Sequence, residues 1–181
     1  RDMWVVHEHE YAEEEGIWRL LELFDRVGIK ATFVINGRTV EKFPEIALEV
    51  QRRGHEMASE NYIHEYPVMF DEAGERESIQ QTVAAFERIL KQRPLGYISP
   101  GHRCTDKTLK LVAEAGYIWD ADFQDRDTAS VIEVGGRPMV TMTYAHISDY
   151  MTYQIISRTP RQVLTLLRDE FDVLYAEGVA G

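Results

Sequence analysis

The 181-residue chain has a formal net charge of −11, with 44% apolar and 28% charged residues. That length suits one domain with a sizeable core, and the acidic balance argues against a nucleic-acid backbone or an anionic membrane surface as partner. No apolar run approaches the roughly 18 residues of a membrane span, and the single cysteine, Cys104, has no internal disulfide partner, so a reducing, cytoplasmic compartment is expected.

Taken in chain order, "HEHEYAEEE" (7–15) reads as a solvated acidic loop. Consecutive side chains point in different directions, so His7, Glu8, His9 and Glu10 do not gather on one ion. "IWRLLELFDRV" places Ile17, Leu20, Leu21 and Phe24 on one helical face, with Gly28 to end it. "ATFVI" (31–35) is the first strand. "PEIALEVQRR" starts a helix on Pro44 and has Gly54 just past its end. "HEMAS" (55–59) is the second strand, with His55 expected as a buried, hydrogen-bonded imidazole. "ESIQQTVAAFERILKQ" carries Ile79, Val83, Phe86 and Leu90 as a stripe and stops before Pro94.

"LGYIS" (95–99) is the third strand. "TDKTLKLVAEAG" starts on a capping Thr105, turns Leu109 and Val112 inward and ends at Gly116. "YIWDADF" (117–123) and "PMVTMTY" (138–144) are further strands, with Gly135-Gly136 turning a hairpin before the last. "TPRQVLTLLRDEFDVLYAEG" begins at Thr159-Pro160 with Val163, Leu166, Leu167 and Leu174 facing inward. Trp4, Trp18 and Trp119 read as packing residues.

"RVGIKATF", "RRGHEMAS" and "EAGYIWDA" share one order: helix tail, glycine, strand. Such joints require parallel strands in a layered or barrel α/β architecture. Parallel strands end at one face. The polar residues after each strand therefore converge: Asn36 and Arg38; Glu60, Asn61 and His64; Ser99, His102 and Arg103; Asp120, Asp122 and Asp125; His146 and Asp149. Asp120 and Asp122 alternate on one face of their strand, where two carboxylates need a partner. Cys104 has no base beside it, and His146 reads as structural.

"GHEMASENYIH" (54–64) resembles the metal motif of the polysaccharide deacetylase superfamily, carbohydrate esterase family 4. "YAEEEGIWRLLELFDRVGIKATFVINGRTVEKFPEI", "GYISPGHR" and "AEAGYIWDADFQD" are similar to its allantoinase-like and peptidoglycan-deacetylase-like branch, in order from about Tyr11 to Asp125. The resemblance implies a deformed (β/α) barrel and a hydrolase of carbon–nitrogen bonds other than peptide bonds. Its reaction would be N-deacetylation or opening of a cyclic ureide. It implies Glu60 and His64 at the two histidine positions of the metal motif, Asn61 in the Ser/Thr place, Arg103 as the nearest guanidinium, and Asp122 or Asp125 as the carboxylate that orients it. Tyr11, Asn61, Pro100 and His102 would line the substrate side.

Two departures stand out. The family's Asp-Asp strand would fall before Arg1 and its late histidine after Gly181, so the single domain over 1–181 is expected to be a barrel cut at both ends. The glutamate at 60 replaces a softer ligand. Zinc or another divalent metal is one expectation, held by His64 and Glu60 at most weakly, and metal-independent chemistry is the other. A small amide or N-acetylated sugar is the expected partner, with homo-oligomerisation left open. The competing reading is a catalytically impaired relative that binds carbohydrate or another ligand.

Overall fold

The computed structural model describes residues 10–144 and 150–180, together with Met3, His7 and Ser148. Trp4, Glu8, His9, His146 and Asp149, and the expectations placed on them, lie outside the described residues. The chain divides into two compact units, Arg1–Thr143 and Tyr144–Gly181.

The first unit alternates helix and strand: α1 (Ile17–Val27), β1 (Thr32–Ile35), α2 (Gly37–Lys42), α3 (Pro44–Arg52), β2 (Glu56–Ser59), α4 (Glu72–Leu90), β3 (Gly96–Tyr97), α5 (Thr108–Glu114), β4 (Trp119–Phe123), β5 (Ser130–Val134) and β6 (Arg137–Thr143). The strands form one sheet in the order β1-β2-β3-β4-β6-β5. Every neighbouring pair up to β6 is parallel, and only β5 runs antiparallel, as a hairpin with β6. Gly135 and Gly136, at φ 59° and 79°, make its turn, since two successive left-handed residues favour glycine.

The core lies in two clusters joined by α4. Ile79 and Val83 pack with Tyr97, Leu111, Val112, Tyr117 and Met139. One turn further on, Phe86 and Leu90 pack with Leu21, Val40, Ala47, Val50 and Met57. The expected stripe of α4 thus serves both. His55 is buried between Phe24 and Phe33, its Nδ1 accepting from Ala31 N at 3.2 Å. Trp18 packs against the second cluster, and Trp119 lies over Gly96, where an added Cβ would fall 1.7 Å from its ring.

Several local expectations need correction. The acidic loop at 7–15 is helical from Glu10, with a π-helical turn at Ala12–Gly16. Helix α4 begins at Glu72, because Asp71 caps it by accepting from Gly74 N at 2.8 Å, and it stops on a left-handed Lys91 rather than at Pro94. Arg38 lies in α2, a helix that periodicity did not disclose because it spans only six residues. Leu20 of α1 is exposed while Leu21 is fully buried.

The second unit holds a π-helical turn, Tyr150–Ile155, and α6, Pro160–Ala180. Thr159 and Gln162 cap α6 reciprocally: Thr159 N donates to Gln162 Oε1 at 2.9 Å and Gln162 N to Thr159 Oγ1 at 3.4 Å. Val163 is buried, but Leu167 and Leu174, expected inward, are exposed.

Candidate active site at the carboxyl ends of the strands

The parallel register sets one line of residues across the sheet: Ile35 opposite Ser59, Ser59 opposite Tyr97, Tyr97 opposite Asp120, and Asp120 opposite Thr141. One or two residues past that line come Asn36, Glu60, Asn61, Ser99 and Asp122. Their convergence follows from register.

Asn36 enters α2 without spending its side chain on a cap. Its amide instead reaches the next strand end, donating to Glu60 Oε2 at 3.2 Å and to Asn61 O at 3.0 Å. His64, around the turn that leaves β2, places Nε2 3.7 Å from the same Glu60 oxygen. Tyr66 sets its ring edge-on to His64 at 6.2 Å between centroids and closes over Gly101, where an added Cβ would lie 2.9 Å from it.

Asp122 holds the other side. Its Oδ1 accepts from Ser99 N at 2.9 Å and lies 3.6 Å from His102 Nδ1. The register of β4 against β6 shifts between Asp120 and Phe123, and across this irregularity Asp122 N donates to Asp120 Oδ1 at 2.9 Å. Asp120 Oδ2, Asp122 Oδ2 and Ser99 Oγ are buried without a hydrogen-bond partner.

Burial raises all three carboxyl groups, since the charged form loses water. Glu60 is raised by burial and by Asp122, against the pull of His64 and Asn36. Asp122 is raised by burial, with Ser99 and His102 opposing. Asp120 is pushed up to about 7 by burial first and by Asp122 second, with its bond from Asp122 N opposing. Acids whose proton affinity is raised by burial, gathered at strand ends, suit proton transfer.

Other expected residues stand elsewhere. Asn61 is fully buried with both ends of its amide engaged: Tyr97 OH donates to its Oδ1 at 2.7 Å and its Nδ2 donates to Glu65 O at 3.0 Å. It therefore braces the loop. Pro100 is buried at the start of the short turn Pro100–His102. Arg103 is exposed, and the cation-forming side chain beside Asp122 is His102 instead. Asp125 is exposed 3.6 Å from Arg126. Tyr11 bonds Arg19 and lines a groove with α1 residues, apart from these carboxylates. Cys104 is exposed, and partial burial with the nearby aspartates pushes its thiol up, which keeps it a poor nucleophile.

Sequence reasoning passed over Glu75 and Tyr66. Glu75 is buried in α4, its carboxylate accepting from Thr105 Oγ1 at 3.0 Å and from Thr108 Oγ1. The pairing of an interior helical glutamate with two threonines three apart was the available signal. For Tyr66 there was none.

Among the described residues, no group of three His, Cys, Asp or Glu could hold a metal ion. Glu60 and His64 are two candidate ligands, so the described side chains fall one short of a three-ligand centre.

The family model for polysaccharide deacetylase matches residues 4–118. The chain belongs to the polysaccharide deacetylase family. Among its relatives, the peptidoglycan deacetylase-like protein FGM2 of Gibberella zeae is 28% identical over 155 residues, covering 84% of this chain and 45% of its own length. The peptidoglycan deacetylase of Helicobacter pylori is 29% identical over 126 residues, covering 69% of this chain and 43% of its own. The chain thus spans less than half of these curated relatives. Among solved structures, the Puue allantoinase superposes with a TM-score of 0.89 at 28% identity, over 99% of this chain and 60% of that one. The α/β architecture is therefore that of the deacetylase-type (β/α) barrel. The deacetylase match includes β1 to β3 and the turn that carries His102, and Asp120 and Asp122 follow it directly.

Proposed function

We propose that the protein hydrolyses a carbon–nitrogen bond of a non-peptide amide, removing an acetyl group from an N-acetylated sugar or opening a cyclic ureide. The observation that carries this reading is the placement of Glu60, half-buried beside His64 and tied by Asn36, across from Asp122 at the carboxyl ends of β1 to β4. Membership of the deacetylase family supports it, as do relatives named for peptidoglycan deacetylation.

In this reading Glu60 takes a proton from water as the oxygen adds to the amide carbon, and Asn36 holds the carboxylate in place. The carbon–nitrogen bond then breaks, a proton passes to the nitrogen, and a carboxylic acid and an amine, or an opened ureide, leave. No step is assigned to a metal.

The test is release of acetate from N-acetylglucosamine oligomers, run beside cyclic ureide opening. Glu60→Gln is expected to lower turnover by about 10²- to 10⁴-fold. One observation favours a second reading, a ligand-binding relative without chemistry: a glutamate occupies the first histidine position of the metal motif. Binding of the sugar oligomer without acetate release, unchanged by Glu60→Gln, would establish that reading instead.

A further inference from the structure

We propose that Tyr66, with Val68 and Met69 beside it, forms an apolar shelf that takes a sugar ring next to the reacting group and so selects an oligosaccharide over a cyclic ureide. This rests on the hydrolase reading above and names the residue that chooses between its two substrates.

The shelf is exposed where burial would be expected of such side chains. Tyr66 is 41% exposed, Val68 56% and Met69 73%. Apolar surface left in water beside a polar site marks a place where a ligand is bound. Tyr66 stands at such a place. Its ring meets His64 edge-on at 6.2 Å between centroids, and His64 lies 3.7 Å from Glu60. The same ring rests on Gly101, where an added Cβ would fall 2.9 Å from Cε1. Gly101 also has left-handed backbone, at φ 63°, so glycine serves there both for conformation and for close approach. The phenol thus reaches from the Glu60 side of the site to the turn that Ser99 N ties to Asp122.

The shelf is held in shape before any ligand arrives. Asn61 Nδ2 donates to Glu65 O at 3.0 Å, just ahead of Tyr66. Pro67 is buried at the head of the short turn Pro67–Met69, where its ring fixes φ. Met69 N donates to Tyr66 O and Phe70 N to Pro67 O, both at 2.9 Å, and Val68 N donates across to Arg103 O at 3.3 Å. A surface fixed in this way loses little freedom on binding.

Its chemistry favours a sugar. The backbone N–H groups of Val68, Met69 and Phe70 are already engaged, so the shelf offers apolar area and few donors. A cyclic ureide carries N–H and C=O groups around its rim, and each one buried without a partner costs binding energy. A pyranose presents an apolar C–H face and keeps its hydroxyls at the rim, in reach of water. It can lie on a tyrosine ring without stranding a polar group. Val68 and Met69 widen the surface beyond one aromatic ring.

The experiment uses the intact protein and two probes, the N-acetylglucosamine trimer and hydantoin. In calorimetry, Tyr66→Leu should weaken trimer binding about tenfold, and Tyr66→Phe, which keeps the ring, should restore it. Met69→Ser changes a side chain that is already exposed, so it tests the shelf even where Tyr66→Leu fails to fold, and it too should weaken the trimer. In turnover, Tyr66→Leu should raise KM for acetate release from the trimer while kcat holds, the mark of lost uniform binding. Equal trimer binding by the unaltered protein, Tyr66→Leu and Met69→Ser overturns the shelf. So does absence of trimer binding by the unaltered protein, whether or not it opens hydantoin. Trimer bound through Tyr66 with neither probe turned over supports the shelf and overturns the hydrolase reading.

Discussion

Asp120 is 1% exposed, faces the carboxylate of Asp122, and titrates near 7 in the folded protein against 3.8 for an unperturbed side chain. The folded state therefore holds its proton more tightly than the unfolded state does. Between about pH 4 and 7 the native form binds more protons, and stability falls as pH rises through that window. Each unit is worth about 1.4 kcal/mol, so Asp120→Asn should remove a loss on the order of 4 kcal/mol. Urea unfolding at pH 5 and pH 7 checks this: the gap between the two midpoints should narrow in the variant. Glu60 and Asp122 shift in the same direction, so some slope should remain. Glu49, held low by Arg52 and Arg53, acts with the opposite sign and below pH 4.5. At Glu60 itself, zinc titration by calorimetry is expected to give weak binding, because Glu60 and His64 supply two ligands where a zinc centre takes three or more. Stoichiometric tight binding abolished by His64→Ala would restore a metal-centred mechanism.

Among the elements, β3 is the least self-sufficient, only Gly96–Tyr97, yet it sits between β2 and β4 and leads directly into the turn of His102. Trp119 on β4 occupies the space over Gly96 and donates from Nε1 to Glu56 Oε1 at 2.8 Å. A methyl at Gly96 would displace that ring and break the bond. Gly96→Ala should therefore cost about 1–3 kcal/mol by overpacking, seen as a lower thermal midpoint with loss of tryptophan near-UV signal. Asp71→Ala removes the cap of α4 and should cost about 1 kcal/mol, measurable by the same melt. Helix and strand centres were legible because period and joint glycines mark them: α1 was bounded residue for residue, and Gly28 took the left-handed form. Helix α2 was not legible, since six residues give too little periodicity. Strand β5 was missed because "SVIEV" finds its partner only through the hairpin.

For the molecule as a whole, charge and stability pull apart. The isoelectric point lies near 5.0, where net charge vanishes and proteins associate most readily. Protonated Asp120 favours folding at that same pH. The protein should thus be most soluble near neutrality yet more resistant to urea near pH 5. Light scattering across pH 4–8 alongside unfolding curves would show the two maxima apart; coinciding maxima would contradict the account. Exposed Phe171, Leu174, Tyr175 and Val179 on α6 should add to the association near pH 5.

The sequence by itself determined the parallel α/β order, the helical stripes, the hairpin turn and the family, because these rest on local periodicity, turn chemistry and motif spacing. It also set Glu60, His64 and Asp122 at one end of the sheet, since residues following parallel strands share one face. Which of the converging residues meet was decided only by tertiary structure. Burial turned Asn61 into a brace for the loop. The left-handed turn brought His102 rather than Arg103 to Asp122, and the β4 irregularity set Asp120 against Asp122 N. Each depends on the register between strands distant in sequence, and no local pattern encodes which neighbour a side chain will find across it.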